Sequence, residues 1–387
     1  MRQIYLDHAS TTPIDPNVLE VMFNFQKENY GNPSSLHSIG RIAKKAIEKS
    51  REKIALILGT EKDEIVFTSG GTEADNLAII GIANAYKNKG KHIIVSKIEH
   101  KAVLKACRKL EKENFEVTYL DVDKNGIVSL RHLKKSIRPD TILVSIMYAN
   151  NEIGTIQPIK KIAKILKESK IYNPIFHTDA CQAVGALSVN VKELGVDAMT
   201  ISSSKIYGPK GVGCLYLSRK YSIEPMIVGG GQEGGIRSGT ENVSSIVGFA
   251  EALAVSDDKR NKETERLIAL RDYFWSRIKT GVRGVCLNGS IKNRLPNNLN
   301  ISISDVEGES LLLYLDDKGI YCSTGSACSS SDLAPSHVLT TIGVPLALAH
   351  CSIRFTLGRY TRKSDIDYAM KILPKCVEKI RDMSLVR

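Results

Sequence analysis

The chain has 387 residues, 42% hydrophobic and 25% charged, which excludes a disordered or collagen-like polymer and leaves room for two domains or one large one. Lys and Arg total 54 against 42 Asp and Glu, a net charge of +12. That charge permits an acidic or nucleic-acid partner without showing one, because lysines spread along stretches such as RIAKKAIEKSREKIA (41–55) are explained by solvated helix faces.

The opening MRQIYLDHASTTP lacks both the apolar run of a signal peptide and the Arg- and Ser-rich bias of a transit peptide, and no apolar stretch is long enough to span a bilayer. A soluble protein of a prokaryotic cytoplasm is expected. From about residue 64 strands and helices alternate. EIVFTSG (64–70) reads as a strand and TEADNLAIIGIANAYKNKG (72–90) as a helix ending at Gly90. HIIVS (92–96) is a strand, followed by a helix over 101–113. FEVTYLDV, TILVSIMY and PIFHTDA are further apolar strands, with an amphipathic helix over 158–170 between the last two. MTISSSK (199–205) and VGCLYLS (212–218) extend the sheet through the turn IYGPKG. After residue 255 a long charged helix (about 258–280) leads to NLNISIS, a helix at 308–318, IYCSTG, CSIRFTL and a terminal helix, a second α+β unit. The fold class is therefore α/β, a mostly parallel sheet flanked by helices, with a smaller α+β domain.

Sheets of this kind bind ligands beyond the C-terminal strand ends, so the residues there are the candidates. After EIVFT, SGGTEADN places Gly71 and Thr72 at a strand-to-helix turn, where glycines and free N–H groups seat a phosphate. An ordinary turn capped by Thr72 explains the same residues. HIIVSKIEH runs into His100, TILVSIMYANNEIG ends in two asparagines and a glutamate, and PIFHTDACQA ends in Asp179 with Gln182 following. Lys205 follows three serines and precedes a Gly-Pro turn; a lysine in such a place is either solvated or an amine nucleophile of lowered pKa. Taken together, a phosphate seat, an Asp for a ring nitrogen, a His for the ring face and a Schiff-base Lys are the parts a protein supplies to pyridoxal 5'-phosphate.

The eight cysteines form no CxxC pair and no zinc spacing, so neither a disulfide framework nor a metal site is expected. Seven sit in apolar or strand-like stretches and suit packing. Cys328 stands apart in STGSACSSSD, among small polar residues, as a reactive thiol requires; a small residue of no consequence in a loop is the plainer account.

Over nearly its whole length the chain resembles the cysteine desulfurases of the NifS and IscS class, pyridoxal phosphate enzymes of the aspartate-aminotransferase-like fold. The likeness runs through IYLDHASTTP, GNPSSLHSIG, FTSGGTEADN, EHKAV, ANNEIGTIQP, HTDACQAVG, SSSKIYGPKG, RSGTEN, STGSACSSSDLAPSHVL and CSIRFTLGR. The resemblance implies that Lys205 bonds the cofactor aldehyde, His100 stacks on the ring and moves protons, Asp179 pairs with the ring nitrogen and Gln182 with its hydroxyl. Gly71, Thr72, Ser202 and Ser204 would bind the phosphate, Ser204 standing where the family often has His. Thr240 would reach the phosphate of a partner subunit in a homodimer. Asn32, Asn151 and Arg354 would hold L-cysteine, and Cys328 would take its sulfur as a persulfide and pass it to iron–sulfur scaffold or tRNA-thiolation proteins. The implied large domain spans 14–256. The small one joins 1–13 to 257–387 and carries a mobile cysteine loop at about 323–334. Within the fold, a selenocysteine lyase, another β-lyase or an aminotransferase is the nearest alternative; a non-catalytic basic adaptor is a reading of another class.

Overall fold

The structure, a computed structural model, describes residues 2–169, 173–324 and 335–383. Its strands are β1 (Ile4–Tyr5), β2 (Ile65–Thr68), β3 (His92–Ser96), β4 (Glu116–Leu120), β5 (Thr141–Ser145), β6 (Ile175–Asp179), β7 (Ala198–Ser202), β8 (Gly213–Leu217), β9 (Val285–Leu287), β10 (Asn298–Ile303), β11 (Ile320–Tyr321) and β12 (Ser352–Thr356). The helices that shape the site are α1 (Pro16–Glu28), α2 (Ser38–Leu58), α3 (Gly71–Asn76), α4 (Ile82–Tyr86), α5 (Lys101–Glu111), α6 (Leu130–Ser136), α7 (Ile159–Glu168), α8 (Val191–Leu194), α9 (Val243–Gly281), α10 (Gly308–Asp316), α11 (His337–Thr341), α12 (Leu346–His350) and α13 (Lys363–Met383).

Seven strands form one sheet in the order β2-β8-β7-β6-β5-β3-β4. All run parallel except β8, which lies antiparallel between β2 and β7. A mostly parallel sheet is thus observed, and its strands are apolar on both faces, as burial under two helical layers demands. Alternation assigns the faces. Ile94, Val144, Phe176 and Tyr216 join a core with α2, α7 and the first half of α9. Their neighbours Ile93, Leu143, Ile175 and Leu215 join a second core with α3, α4 and α5. The period of α5 fits its place: Ala102, Val103, Ala106, Cys107 and Leu110 are buried, one stripe of a 3.6-residue helix. A third core gathers Leu6, Phe274, Leu299, Ile301, Phe355 and Leu373 around the three-stranded sheet β12-β10-β9.

Three expectations are corrected. The stretch 72–90 is not one α-helix. Leu77–Gly81 is a π-helical segment between α3 and α4, and the helix ends at Tyr86. Beyond Tyr86 the chain offers only polar residues, and the Tyr86 carbonyl accepts Lys89 N at 2.8 Å to turn it. The charged helix begins at Val243, not near 258. Its first half is so apolar that it reads as undifferentiated core: Ile246, Phe249, Ala250 and Leu253 pack under the large sheet, while Phe274 and Ile278 lie in the third core. The strand at 199–205 stops at Ser202, and Ser203–Lys205 forms a 3₁₀ turn. Among the described residues no helix is long and apolar enough to cross a membrane.

Candidate active site

Because β2, β3, β5, β6 and β7 run in one direction, their C-terminal ends share an edge. At that edge lies a cavity of about 360 Å³ whose lining includes Ser69, Gly71, Thr72, His100, Asn151, Asp179, Gln182, Ser202, Ser204, Lys205 and Arg354. The fold therefore gathers into one hollow candidates from six separate stretches of chain. Asn32 and Thr240 are not in its lining. Asn32 is exposed between α1 and α2, its Oδ1 accepting Ser34 N at 2.9 Å, and Thr240 is exposed after the glycine-rich segment 229–239. Cys328, Gly325 and most of the loop expected at 323–334 lie outside the described residues.

Each side chain is set by its element. The turn after β2 holds Gly70 at φ +144°, a region that favours glycine, with nothing within 4 Å of where a Cβ would stand. At Gly71 an added Cβ would come to 2.8 Å from Cys181 Sγ, so the turn and the end of β6 approach closely. His100 caps α5, its Nδ1 accepting Ala102 N at 3.2 Å. Nδ1 is therefore the bare nitrogen and Nε2 carries the proton of the neutral ring. Burial holds the imidazole below its ordinary pKa, against the pull of Asp179. Asp179 is 6% exposed and accepts Cys181 N at 2.8 Å. Gln182 Nε2 donates to Ala9 O at 2.9 Å, Ser202 Oγ and Ser204 Oγ are 3.2 Å apart, and Lys205 Nζ donates to Ser10 O. Arg354 on β12 donates to Asn151 O (2.8 Å), Asp7 Oδ1 (2.9 Å) and Ser10 Oγ (2.9 Å), while its buried Nε has no partner among the described residues.

Residue types alone missed several groups. Asp75 lines the cavity at 1% exposure, and its Oδ1 has no hydrogen-bond partner among the described residues. Burial, then the charge of Asp179, raises its pKa well above the ordinary carboxylate value. Thr72 and Asp75 are three apart on one helical turn, a signal the motif TEADN held. Behind this pair His177 bridges Ser145 Oγ (2.8 Å) and Thr200 Oγ1 (3.0 Å), and burial lowers it to about 4. Glu99 and Glu152, each next to a candidate, are also buried. Among the cysteines, Cys107, Cys181, Cys214 and Cys376 are buried as packing requires, but Cys286 is exposed on β9, contrary to expectation, because that strand covers only one side of β10. Burial pushes the Cys181 and Cys322 thiols up, away from the reactive thiolate.

The cavity fits pyridoxal 5'-phosphate: a turn open at Gly70 for an anion, the carboxyl groups of Asp75 and Asp179 with one oxygen unpartnered among the described residues, a neutral imidazole and an amine. Comparison with known proteins agrees. The class-V aminotransferase family matches residues 4–369. A cysteine desulfurase IscS of Dictyoglomus turgidum is 56% identical over 383 residues, covering 99% of this chain and 96% of that protein. A cysteine desulfurase IscS of Methanosarcina thermophila is 50% identical over 386 residues, covering 99% and 94%. A solved NifS-like protein superposes with a TM-score of 0.92 at 37% identity, covering 98% of this chain and all of that one. On this agreement of cavity, fold and likeness, the chain belongs to the class-V aminotransferase family and, within it, to the cysteine desulfurases of the IscS and NifS class.

Proposed function

We propose that this chain removes sulfur from L-cysteine, releases L-alanine and carries the sulfur as a persulfide on Cys328 to acceptor proteins of iron–sulfur assembly or tRNA thiolation. The cavity at the strand ends, with Lys205, Asp179, His100 and Arg354 all in its lining, is the observation that supports it most. The balance closes without an external oxidant: the Cβ–S bond breaks, Cβ gains a hydrogen, and the sulfur joins Cys328 as Sγ–S–H.

Lys205 would hold pyridoxal 5'-phosphate at Nζ, Gly71, Thr72, Ser202 and Ser204 its phosphate, Asp179 its ring nitrogen and Gln182 its hydroxyl. When bound, that group supplies an electron sink for the bond broken at Cα. Asp75, its pKa raised by burial and by Asp179, lines the same cavity. Arg354 holds the substrate carboxylate, its guanidinium oriented by Asp7, Ser10 and the Asn151 carbonyl, and Asn151 lines the same cavity beside it. Lys205 Nζ, once released, takes and returns the Cα proton; His100 holds a proton at Nε2 on the cavity wall.

The same reading makes the protein a cytoplasmic homodimer in which the partner subunit's Thr240 completes the phosphate site. Thr240 is exposed and outside its own cavity, and large apolar side chains at Tyr30 (79% exposed), Leu36 (89%) and Val228 (79%) await cover. It also places 14–256 in a large domain and 1–13 with 257–387 in a small one, for which the separate cores under the two sheets speak.

The test is alanine release from L-cysteine with a reductant present. The wild type is expected to form alanine and sulfide in equal amounts. The Cys328→Ala protein is expected to bind L-cysteine, with the absorbance change that shows it, yet release at least ~10³-fold less alanine. Wild-type alanine release by that variant rules the nucleophile out.

A further inference from the structure

Both chain ends that flank residues 325–334 are tied to the cavity wall. On the N-terminal side, Arg354 N donates to Ser323 O at 2.6 Å and Ser323 N to Arg354 O at 3.2 Å. On the C-terminal side, Ser336 caps α11, its Oγ accepting Leu339 N at 3.2 Å. The same hydroxyl donates to a carboxylate oxygen of Glu152. His337 Nε2 lies 3.1 Å from the Glu99 carbonyl. Glu152 follows Asn151 and Glu99 precedes His100, so α11 is pinned to the backbone beside two residues of the proposed site.

The pin is rigid at its base. Glu152 is 4% exposed. Its N–H donates to Asn150 Oδ1 at 2.9 Å, and its carbonyl accepts the side-chain amides of Asn298 and Asn300 at 3.0 and 3.2 Å. Val338 and Leu339, both fully buried, close the contact against Ile98, Met147 and Ile153. Those apolar residues would hold α11 down without help. Burying a carboxyl beneath them is costly: burial raises it to about 7, with the Ser336 hydroxyl, Arg354 and Lys101 opposing in that order. What a hydrogen bond adds to an apolar contact is direction and register.

We propose that Ser336 and Glu152 are a positioning pair for the sulfur-transfer step. By fixing the first turn of α11 beside Asn151, they set the place from which the Cys328-bearing segment departs, and so the approach of the thiol to the substrate sulfur. The inference rests on the function proposed above. Cys328 is eight residues before Ser336 and five after Ser323, whereas neither Ser336 nor Glu152 lines the cavity that would hold the cofactor.

The experiment measures persulfide formed on Cys328 in a single turnover, by mass spectrometry, alongside cofactor occupancy and the L-cysteine concentration that gives half of the absorbance change. Ser336→Ala is expected to slow persulfide formation ~10-fold or more, with occupancy and half-saturation within ~2-fold of wild type, and Ser336→Thr to restore the rate. A rate equal to wild type overturns the pair's role, and so does a loss shared equally by L-cysteine binding. Should Ser336→Ala fail to fold, Glu152→Gln carries the test: it keeps an acceptor but no charge, and is expected to slow the step several-fold, wild-type speed again overturning the proposal. A wild-type protein that forms no persulfide on Cys328 rejects the proposed function instead.

Discussion

At position 99 a carboxyl group sits with no exposure, accepting Ser96 Oγ at 2.5 Å and Met147 N at 2.9 and 3.1 Å. It joins the ends of β3 and β5, and so holds His100 and the 147–152 stretch in register. Burial raises its pKa to about 8. The folded protein thus keeps a proton that the unfolded chain, with an ordinary glutamate, loses near pH 4.5. Its contribution to stability is complete below that pH and is lost as pH rises through 8. His8 and His177 have the opposite history. Burial lowers both to about 4, so their contribution is present above pH 6.5 and lost as pH falls through 4. Glu99→Gln removes the alkaline loss alone. Relative to wild type, its melting temperature is expected to rise steadily from pH 5 to pH 9, by the equivalent of a few kcal/mol at the upper end. A difference independent of pH would show that Glu99 is ionised in the folded protein.

The glycine-rich segment 229–239 has almost no apolar side chains of its own, so its position depends on polar anchors. Glu233, at φ +48°, meets Arg51 of α2 through two bonds of 2.7 Å and accepts Phe67 N at 2.7 Å. The guanidinium lies 4.7 Å from the Phe67 ring centre. Further along, Arg237 reaches Glu73 at 2.8 Å, and Glu73 accepts Ser69 N at 2.7 Å, coupling the segment to the proposed phosphate turn. A hollow of about 580 Å³ between α2 and this segment is larger than the proposed active site, and its lining holds the Arg51–Glu233 ion pair. Removing one partner of the buried pair strands the other, so Glu233→Ala is expected to cost about 3–5 kcal/mol in denaturant unfolding. Replacing both, as Arg51→Met with Glu233→Leu, is expected to cost less than the single change; a larger loss would mean the segment needs the charge itself.

If two chains share each site, complementation follows from geometry. Lys205→Ala and Thr240→Ala are each expected to be nearly inactive alone. Unfolded together and refolded one to one, half the dimers are mixed, and each mixed dimer has one site with both residues intact. Alanine release is then expected to recover to about a quarter of wild type. No recovery, with mixed dimers shown by mass, would place Thr240 in its own subunit's site.

Much of this architecture is legible in residue order, because its signals are local. Short apolar runs mark β3, β5 and β6, the stripe of α5 marks a buried face, and turn glycines mark where strands hand over to helices. The order of the motifs named the family. Where local signals fade, reading by pattern stops: the apolar start of α9 has no contrast, and the i→i+5 hydrogen bonds of the π-helical Leu77–Gly81 leave no mark in residue order. Distances between remote residues were beyond reach altogether. That Glu152 meets Ser336, 184 positions away, that Asp75 lines the cavity and that Asn32 stands outside it are consequences of how the strands are ordered. A chain sequence carries no record of that order until the sheet has formed.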